Sequence, residues 1–400
     1  MVRHSTRAAP WRFMVMVLLT IPLTGCWSRV EINDRQFVTM FMVDAGEKEN
    51  EIRLTLGFPL PNRLVSARGG SGSAAGTEGD PYSTMTQSAE SIAAAYWKIQ
   101  SSSSRQISWG HTRVIVIGEK MARRGIRPIL EFAMREPTFQ TKTYVMMTSG
   151  EARSIVELPP VVERFPVEVL REIMRQHRTL DTTVKDLLMS QAYSGAELIA
   201  RFDQQEMKLL SEKEKNVKWT YSNGAGILKK GKLVGYFDTI EMRSALWIKG
   251  EMENALISMK SPTDGKMISF LIKQSKADID VAMADSQANV MIRLHAVDEI
   301  LASDSDIDLG NPDVVRDLQE NMEKLLIIYV NRALTKSQRL GADVFQFAQY
   351  LEWRQPELWK KWKDDWERHY REDVHFKVEA KIEVNRSGAE KKPFWKTIEE

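Results

Sequence analysis

The sequence has one cysteine, Cys26, in 400 residues. A single thiol excludes an internal disulfide, so packing alone must stabilise the fold. It also excludes the cysteine clusters of structural zinc sites. An exported protein with one thiol either leaves a reactive group exposed or modifies it. The position of Cys26 therefore needs an explanation.

The sequence also lacks the short motifs of common catalytic and nucleotide sites: HExxH, GxSxG, a Cys/His cluster and the Gly-Lys-Ser/Thr of a P-loop. The glycine-rich stretch 67–81 contains no lysine, which favours a surface loop over a phosphate site. A hydrolytic centre would require one of the isolated histidines, His111, His177 or His295, to converge with an acid or a serine. We predict no catalytic residue, no metal ligand and no cofactor, and hence no enzyme.

One acidic series resembles a calcium loop without completing it. Asp304, Asp306 and Asp308 have the spacing that begins an EF-hand, but Leu309 and Val315 replace its glycine and its bidentate glutamate. We expect these acids to favour the positive end of the helix that begins near residue 312.

The N-terminus shows why the thiol is where it is. Residues 1–12 carry three arginines and no acid, and an apolar run follows from residue 13. This is the layout of a secretory signal peptide, and the run is too short for a spanning helix. Leu23-Thr24-Gly25-Cys26 resembles a bacterial lipobox, so we predict a signal peptide at 1–25 and lipidation of Cys26. Two acyl chains would hold the protein stably on a membrane.

Removal of residues 1–25 leaves 53 basic and 54 acidic residues, because the 56 Lys and Arg lose three while the 54 Asp and Glu lose none. A near-neutral chain without a basic stripe does not favour nucleic-acid binding. No later segment is apolar enough to span a bilayer. We therefore expect a folded ectodomain on a lipid tether.

The pattern of strands and helices predicts an α/β (α+β), multi-domain ectodomain with mixed or antiparallel sheets and covering helices. We place an N-terminal α/β domain at 26–200, a charged linker at 201–217 and a C-terminal α+β domain at 218–395, with a possible division into 218–272 and 273–395. In the first half, Thr84 and Gln87 form a capping-box pattern that predicts a helix. Strands are predicted at 37–44, 52–58, 114–117 and 139–147, and helices at 126–135, 151–157 and 167–174.

The second half predicts hairpins and long helices. Residues 223–238 form a hairpin pattern, followed by a helix that begins at Asp238 and ends at Gly250. Strands at 279–283 and 290–294 form a second hairpin, which a strand at 376–384 joins. A long helix begins at Asn311 and ends at Gly341, with its apolar stripe at Val314, Leu318, Met322, Leu325, Tyr329 and Ala333. Four tryptophans follow, Trp353, Trp359, Trp362 and Trp366, and the last three fall on one helical face. For this stripe of three, packing onto the sheet is favoured over a membrane interface.

Five segments in this order resemble the Ger(x)C family, the lipoprotein C subunits of spore germinant receptors. They are GCW with RVEIND at 25–34, the WGH strand leading into IGE at 109–119, GAGILKKGKLVGYFD at 224–238, LWIKG at 246–250, and DVFQFAQYL at 343–351 followed by Trp359 and Trp362. The resemblance extends from Cys26 to about residue 385. Ser28 departs from it, since family members often carry an acid there.

The resemblance implies a three-part ectodomain lipid-anchored to the outer face of the spore inner membrane. Its partners would be two integral membrane subunits, A and B, in a receptor for small nutrient germinants. The family assigns no reaction to the C subunit. The alternative is a lipid-anchored solute-binding protein of a transporter, which would require two similar doubly wound lobes.

Overall fold

A computed structural model describes residues 31–60, 80–158, 163, 165–208, 216–284 and 287–385. Cys26, the predicted signal peptide and most of the glycine-rich stretch lie outside these residues. The described chain forms an eight-stranded sheet, a four-stranded sheet and a two-stranded ribbon, with helices packed on the sheets. The predicted α+β class with mixed sheets is confirmed.

The eight-stranded sheet has a parallel centre and antiparallel borders. Its order is β10-β9-β8-β7-β6-β2-β3-β4; β2, β6, β7 and β8 are parallel, and the remaining neighbours are antiparallel. The short strands β1 and β5 form the parallel ribbon. The bounds are β1 (Arg35–Phe37), β2 (Met40–Ala45), β3 (Ile52–Pro59), β4 (Tyr82–Ala89), β5 (Gln106–Ser108), β6 (Val114–Gly118), β7 (Tyr144–Thr148), β8 (Ala196–Lys208), β9 (Asn216–Lys229) and β10 (Lys232–Phe237).

Helices cover both faces of this sheet. Successive side chains of a strand point to opposite faces, so Phe41 and Val43 enter one core while Met40 and Met42 enter the other. Helices α1, α2, α3 and α5 pack on the first face, and α4 and α6 on the second. The bounds are α1 (Ile92–Ser101), α2 (Glu119–Arg124), α3 (Arg127–Arg135), α4 (Pro166–Arg175), α5 (Val184–Ala192) and α6 (Thr239–Lys249).

The capping box predicted at Thr84 and Gln87 is wrong, because these residues lie in β4. Thr84 pairs with Gly57, and the Thr86 hydroxyl lies 2.8 Å from that of Thr55 on β3. Threonine is β-branched and fits a paired strand better than a helix start. The helix begins later, at α1, where the Ser91 side chain accepts a hydrogen bond from the Ala94 amide.

The predicted linker 201–217 is contradicted where the structure describes it. Residues 201–208 and 216–217 belong to β8 and β9, which pair from Ala196–Lys229 to Lys208–Asn216. The outer half of β8 carries polar and charged residues at exposed positions, and such a composition is also typical of a linker. The predicted hairpin β9–β10 and the helix after it are confirmed, but the hairpin completes the sheet of the N-terminal half.

A four-stranded sheet and four helices form the rest of the described chain. β12 and β13 make the predicted hairpin, in which Ile279 pairs with Ile292. β14 joins this sheet as predicted, and it runs parallel to β13. The bounds are β11 (Ala255–Lys260), β12 (Met267–Ala284), β13 (Gln287–Ser303), β14 (Val374–Asn385), α7 (Pro312–Leu340), α8 (Phe347–Arg354), α9 (Pro356–Trp362) and α10 (Trp366–Glu372).

The long helix α7 has its predicted ends, with an Asn311 cap and a left-handed Gly341. Its apolar stripe is shifted from the predicted one: Leu318, Met322 and Ala333 are buried as expected, whereas other predicted members are only half-buried. The buried positions include Val315, Leu326 and Val330. A straight helix repeats every 3.6 residues, so a stripe over 29 residues drifts around its axis.

One buried cluster joins the two halves. It runs from Met42 and Met146 of the large sheet through Trp247 of α6 to Val290 of β13 and Leu334 of α7. The N-terminal and C-terminal halves therefore share a core rather than packing as separate bodies.

Candidate interaction surface

Helices α1, α3 and α5 lie side by side on the large sheet and form what we call the three-helix face. Each helix buries one side in the sheet core. The buried residues are Ile92, Ala95 and Ile99 of α1, Ile129, Leu130 and Ala133 of α3, and Val184 and Leu187 of α5. The inner sides are thus fixed, and the outer sides remain available to a partner.

Large apolar side chains project from this face. Trp97 is 68% exposed, Met134 is 60% exposed and Met189 is 46% exposed, one from each helix. A single exposed apolar residue is ordinary, but three on neighbouring helices, beside grooves, make this face a candidate binding surface. Tryptophan and methionine are also enriched at protein interfaces.

Two grooves separate the three helices. The α1–α3 groove has a volume of about 620 Å³, and Tyr96, Trp97 and Phe132 line it. The α3–α5 groove has a volume of about 700 Å³, and Met134 and Leu188 line it. Arg135 and Glu131 form an ion pair at 3.2 Å, and both residues line both grooves.

An aromatic cluster supports the α1–α3 groove from below. The Trp109 ring lies 5.0 Å from Phe132, 5.4 Å from Tyr96 and 5.5 Å from Phe41, in edge-to-face arrangements. Burial raises the pKa of Tyr96, so its hydroxyl stays neutral. The groove therefore has a rigid, apolar floor.

The three histidines considered as catalytic candidates lie in different settings. The His111 ring packs at a tilt against Phe37, with 4.4 Å between ring centroids and 56° between the ring planes. His177 follows α4 with a positive φ of 50°, and its Nδ1 lies 3.9 Å from an Asp181 oxygen. His295 on β13 lies 4.0 Å from Asp278. None of these contacts supplies the serine or cysteine that a nucleophilic centre would need.

The acidic series also has structural partners. Asp306 pairs with Lys266 at 2.7 Å, and Asp308 accepts a hydrogen bond from the Gly310 amide just before α7. In the part of the chain that the structure describes, no group of three or more His, Cys, Asp or Glu side chains is arranged to hold a metal ion.

Three of the four tryptophans pack inward. Trp359, Trp362 and Trp366 are buried, and Trp362 stacks on the His369 ring at 4.3 Å. Trp353 remains exposed. Trp359, Trp362 and Trp366 belong to the buried cluster that includes the four-stranded sheet, so the predicted inward packing of this stripe is confirmed. Among the described residues, no helix is long and apolar enough to cross a membrane.

The segment 343–362 ties the two halves together. Asp343 accepts hydrogen bonds from the Phe347 and Ala348 amides at the start of α8 and from Trp366 Nε1. Gln346, in a left-handed conformation, donates to the Ala196 carbonyl at the start of β8. This segment thus has a structural role.

An ion pair is buried at the same junction. Lys249 Nζ lies 3.8 Å from Glu197 Oε1. Burial raises the pKa of Glu197 to about 7, with Lys249 opposing that shift. Burial lowers the pKa of Lys249, but Glu197 and Glu251 more than compensate, so the net shift is upward. Both groups are held by the fold rather than presented to a ligand.

Sequence reasoning missed the exposed residues of the three-helix face. The signal was present for Trp97, which falls opposite Ile92, Ala95 and Ile99 on the helical period. For Met134 and Met189 the sequence does not distinguish an exposed methionine from a core residue.

Comparison with known proteins gives matches along most of the chain. Residues 28–198 match the family model described as Spore germination protein N-terminal domain, and residues 223–388 match Spore germination B3/GerAC like, C-terminal. The Bacillus subtilis protein YfkR is 27% identical over 337 residues, 83% of this chain and 85% of YfkR. The B. subtilis Spore germination protein KC is 22% identical over 396 residues, 95% of this chain and 96% of that protein.

The crystal structure of the GerBC protein superposes with a TM-score of 0.56 at 19% identity, covering 86% of this chain and 96% of that one. At this identity the likeness shows a common fold.

Proposed function

The chain belongs to the Ger(x)C family and is a spore germinant receptor subunit of that family; from this premise we propose that it is a non-catalytic, lipid-anchored subunit that assembles with integral membrane A and B subunits. The observation that carries this proposal is the match to both family domains, which together extend from residue 28 to residue 388. The lipobox at Cys26 supplies the membrane attachment.

The three-helix face is the surface on which we place the contact with a membrane subunit. It offers an exposed tryptophan, two exposed methionines and two grooves. The α1–α3 groove lies over the Trp109 cluster, and the lining of the α3–α5 groove is part apolar and part charged. Buried aromatic anchors that fill pockets dominate protein–protein affinity. A subunit that works by binding needs such a surface and no reaction centre.

The solute-binding alternative lacks its required architecture. It needs two similar doubly wound lobes, whereas the described chain has an eight-stranded mixed sheet and an unlike four-stranded sheet that share one core.

Deletion of the gene tests the proposal. Spores without the protein should lose the response to one set of nutrients and still germinate with agents that bypass receptors. Complementation with the wild-type gene should restore the response. Unchanged germination with every nutrient would contradict a receptor role, and loss of germination with bypass agents would point to a general spore defect.

A further inference from the structure

The described chain begins close to the predicted anchor. Four residues lie between Cys26 and Glu31, and the five Cα–Cα steps that join them span at most about 18 Å when extended. After Glu31 the chain forms a short 3₁₀ turn, Ile32–Asp34, and enters β1 and then β2. If Cys26 carries the lipid, as the proposed function requires, the bilayer surface lies within this distance of Glu31, and only the 3₁₀ turn separates Glu31 from β1.

The end of the large sheet lies at this point. β1 pairs with β5, the Arg113 amide donates to the Thr39 carbonyl, and the Tyr144 amide donates to the Arg113 carbonyl. The Lys185 amide donates in turn to the Thr141 carbonyl. We call residues 35–39, 105–113, 140–143 and 183–185 the sheet end.

The sheet end carries cations and no acid of its own, whereas the opposite edge, where β2 and β6 end, carries charges of both signs. Five basic residues belong to the sheet end, and within the described part of the chain none of them makes an ion pair; these are Arg35, Arg105, Arg113, Lys142 and Lys185. At the opposite edge, Arg53 pairs with Glu151 at 3.0 Å and Arg123 with Glu119 at 2.8 Å. Unpaired cations are available for an external anion.

The acids near the sheet end are fewer and partly engaged. Asp186 accepts hydrogen bonds from Thr183 in the cap of α5, and Glu136 accepts them from Thr138. Glu31 and Asp34 precede β1 and are exposed. The unpaired positive charge is therefore spread over four segments of the sheet end, while the free acids lie on the tether side.

We propose that the sheet end lies against the anionic headgroups of the membrane that holds the anchor. This inference rests on the lipid anchor of the proposed function. Lys and Arg are attracted to an anionic lipid surface within a Debye length, about 10 Å. The short tether allows the sheet end to approach that surface. One end of each helix of the three-helix face adjoins the sheet end. These are the C-terminal ends of α1 and α3, at Ser101 and Arg135, and the N-terminal end of α5, at Val184. The face would therefore stand upright from the membrane.

The single native cysteine makes a direct test possible. When Cys26 is lipidated, one engineered cysteine takes a fluorescent label alone. We would label S104C, beside the sheet end, and E49C, at the opposite edge, in the lipidated protein purified from membranes and reconstituted into vesicles. The vesicles would be phosphatidylglycerol–phosphatidylcholine mixtures or phosphatidylcholine alone. Acrylamide quenching measures exposure to water, and a brominated lipid measures contact with the bilayer.

The expected result is at least threefold slower acrylamide quenching for S104C than for E49C on the anionic vesicles, with brominated lipid quenching S104C only. Replacing Arg105, Arg113 and Lys142 with glutamine should abolish the difference. The matched control, glutamine at Lys48, Lys120 and Arg153 of the opposite edge, should preserve it.

Equal quenching of the two labels on vesicles that carry the protein would overturn the inference and leave the proposed function standing. The same protection of S104C on pure phosphatidylcholine would refute the role of the cations. Protein that fails to float with either vesicle would lack the anchor, and both the inference and the anchored form of the proposed function would fall.

Discussion

A buried carboxyl group in the four-stranded sheet should make the protein less stable as the pH rises. Asp298 of β13 is fully buried, and neither of its carboxylate oxygens has a hydrogen-bond partner. Its register partners are Ile272 of β12 and Val384 of β14, which are aliphatic. Burial raises the pKa of Asp298 from 3.8 to about 7.

The sign and the size of this pH dependence of stability follow from the linkage between proton binding and folding. A raised pKa means that the native state binds the proton more tightly than the unfolded chain, so the associated stability is fully present below pH 3.8 and is lost as the pH rises through about 7. Each pKa unit corresponds to about 1.4 kcal/mol. The native state therefore loses about 4 kcal/mol by neutral pH, of which about 2 kcal/mol is lost between pH 5 and pH 7.

Asp298→Asn keeps the shape and removes the titration. Denaturant unfolding at pH 5, 6, 7 and 8 should show that the variant gains about 2 kcal/mol relative to wild type between pH 5 and pH 7. Asp278→Asn on the exposed side of β12 is the matched control and should follow the wild-type curve. Parallel pH profiles for Asp298→Asn and wild type would refute the assignment of a neutral buried carboxyl at this position.

Three further predictions concern the anchor, chemistry and folding. Cys26→Ala should block lipidation and leave an uncleaved precursor of higher mass, which mass spectrometry detects; normal acyl labelling of the variant would exclude Cys26 as the lipidated residue. Gly224→Ala should destabilise the fold by more than about 1 kcal/mol, because φ is +79° and the new Cβ would overlap the Phe237 carbonyl oxygen; an unchanged melting temperature would contradict this packing. Glutamine in place of His111, His177 or His295, one at a time, should leave nutrient germination intact. A folded, assembled variant that cannot support germination would reveal a reaction that the binding role does not include.

Local signals predicted the elements that depend on neighbouring residues. The hairpin before Asp238 and the helix after it follow from turn glycines and a capping box that the structure contains between Asp238 and Glu241. The strands of the second hairpin follow from alternation. By contrast, Thr84 and Gln87 fit a capping box equally well, and only pairing with β3 decides that the segment is a strand.

Tertiary contacts account for what the sequence did not reveal. The charged end of β8 has the composition of a linker, and its pairing with β9 is a long-range property. The alternation of Ala296 and Asp298 places a carboxylate on an apolar face, but burial without a partner is visible only in the packed sheet. The three-helix face depends on the arrangement of α1, α3 and α5, which no local pattern determines.

Co-purification of the membrane subunits from detergent-solubilised spore membranes tests the central claim most directly. Met134→Glu places a charge on the three-helix face, whereas Ile328→Glu makes the same change on α7, at a side chain that is equally exposed at 61%. A charge opposite an apolar partner should weaken the complex at least tenfold, which is about 1.4 kcal/mol. The account predicts that Met134→Glu, lipidated at wild-type levels, loses the A and B subunits while Ile328→Glu retains them. Retention of both subunits by Met134→Glu at wild-type yield would contradict it.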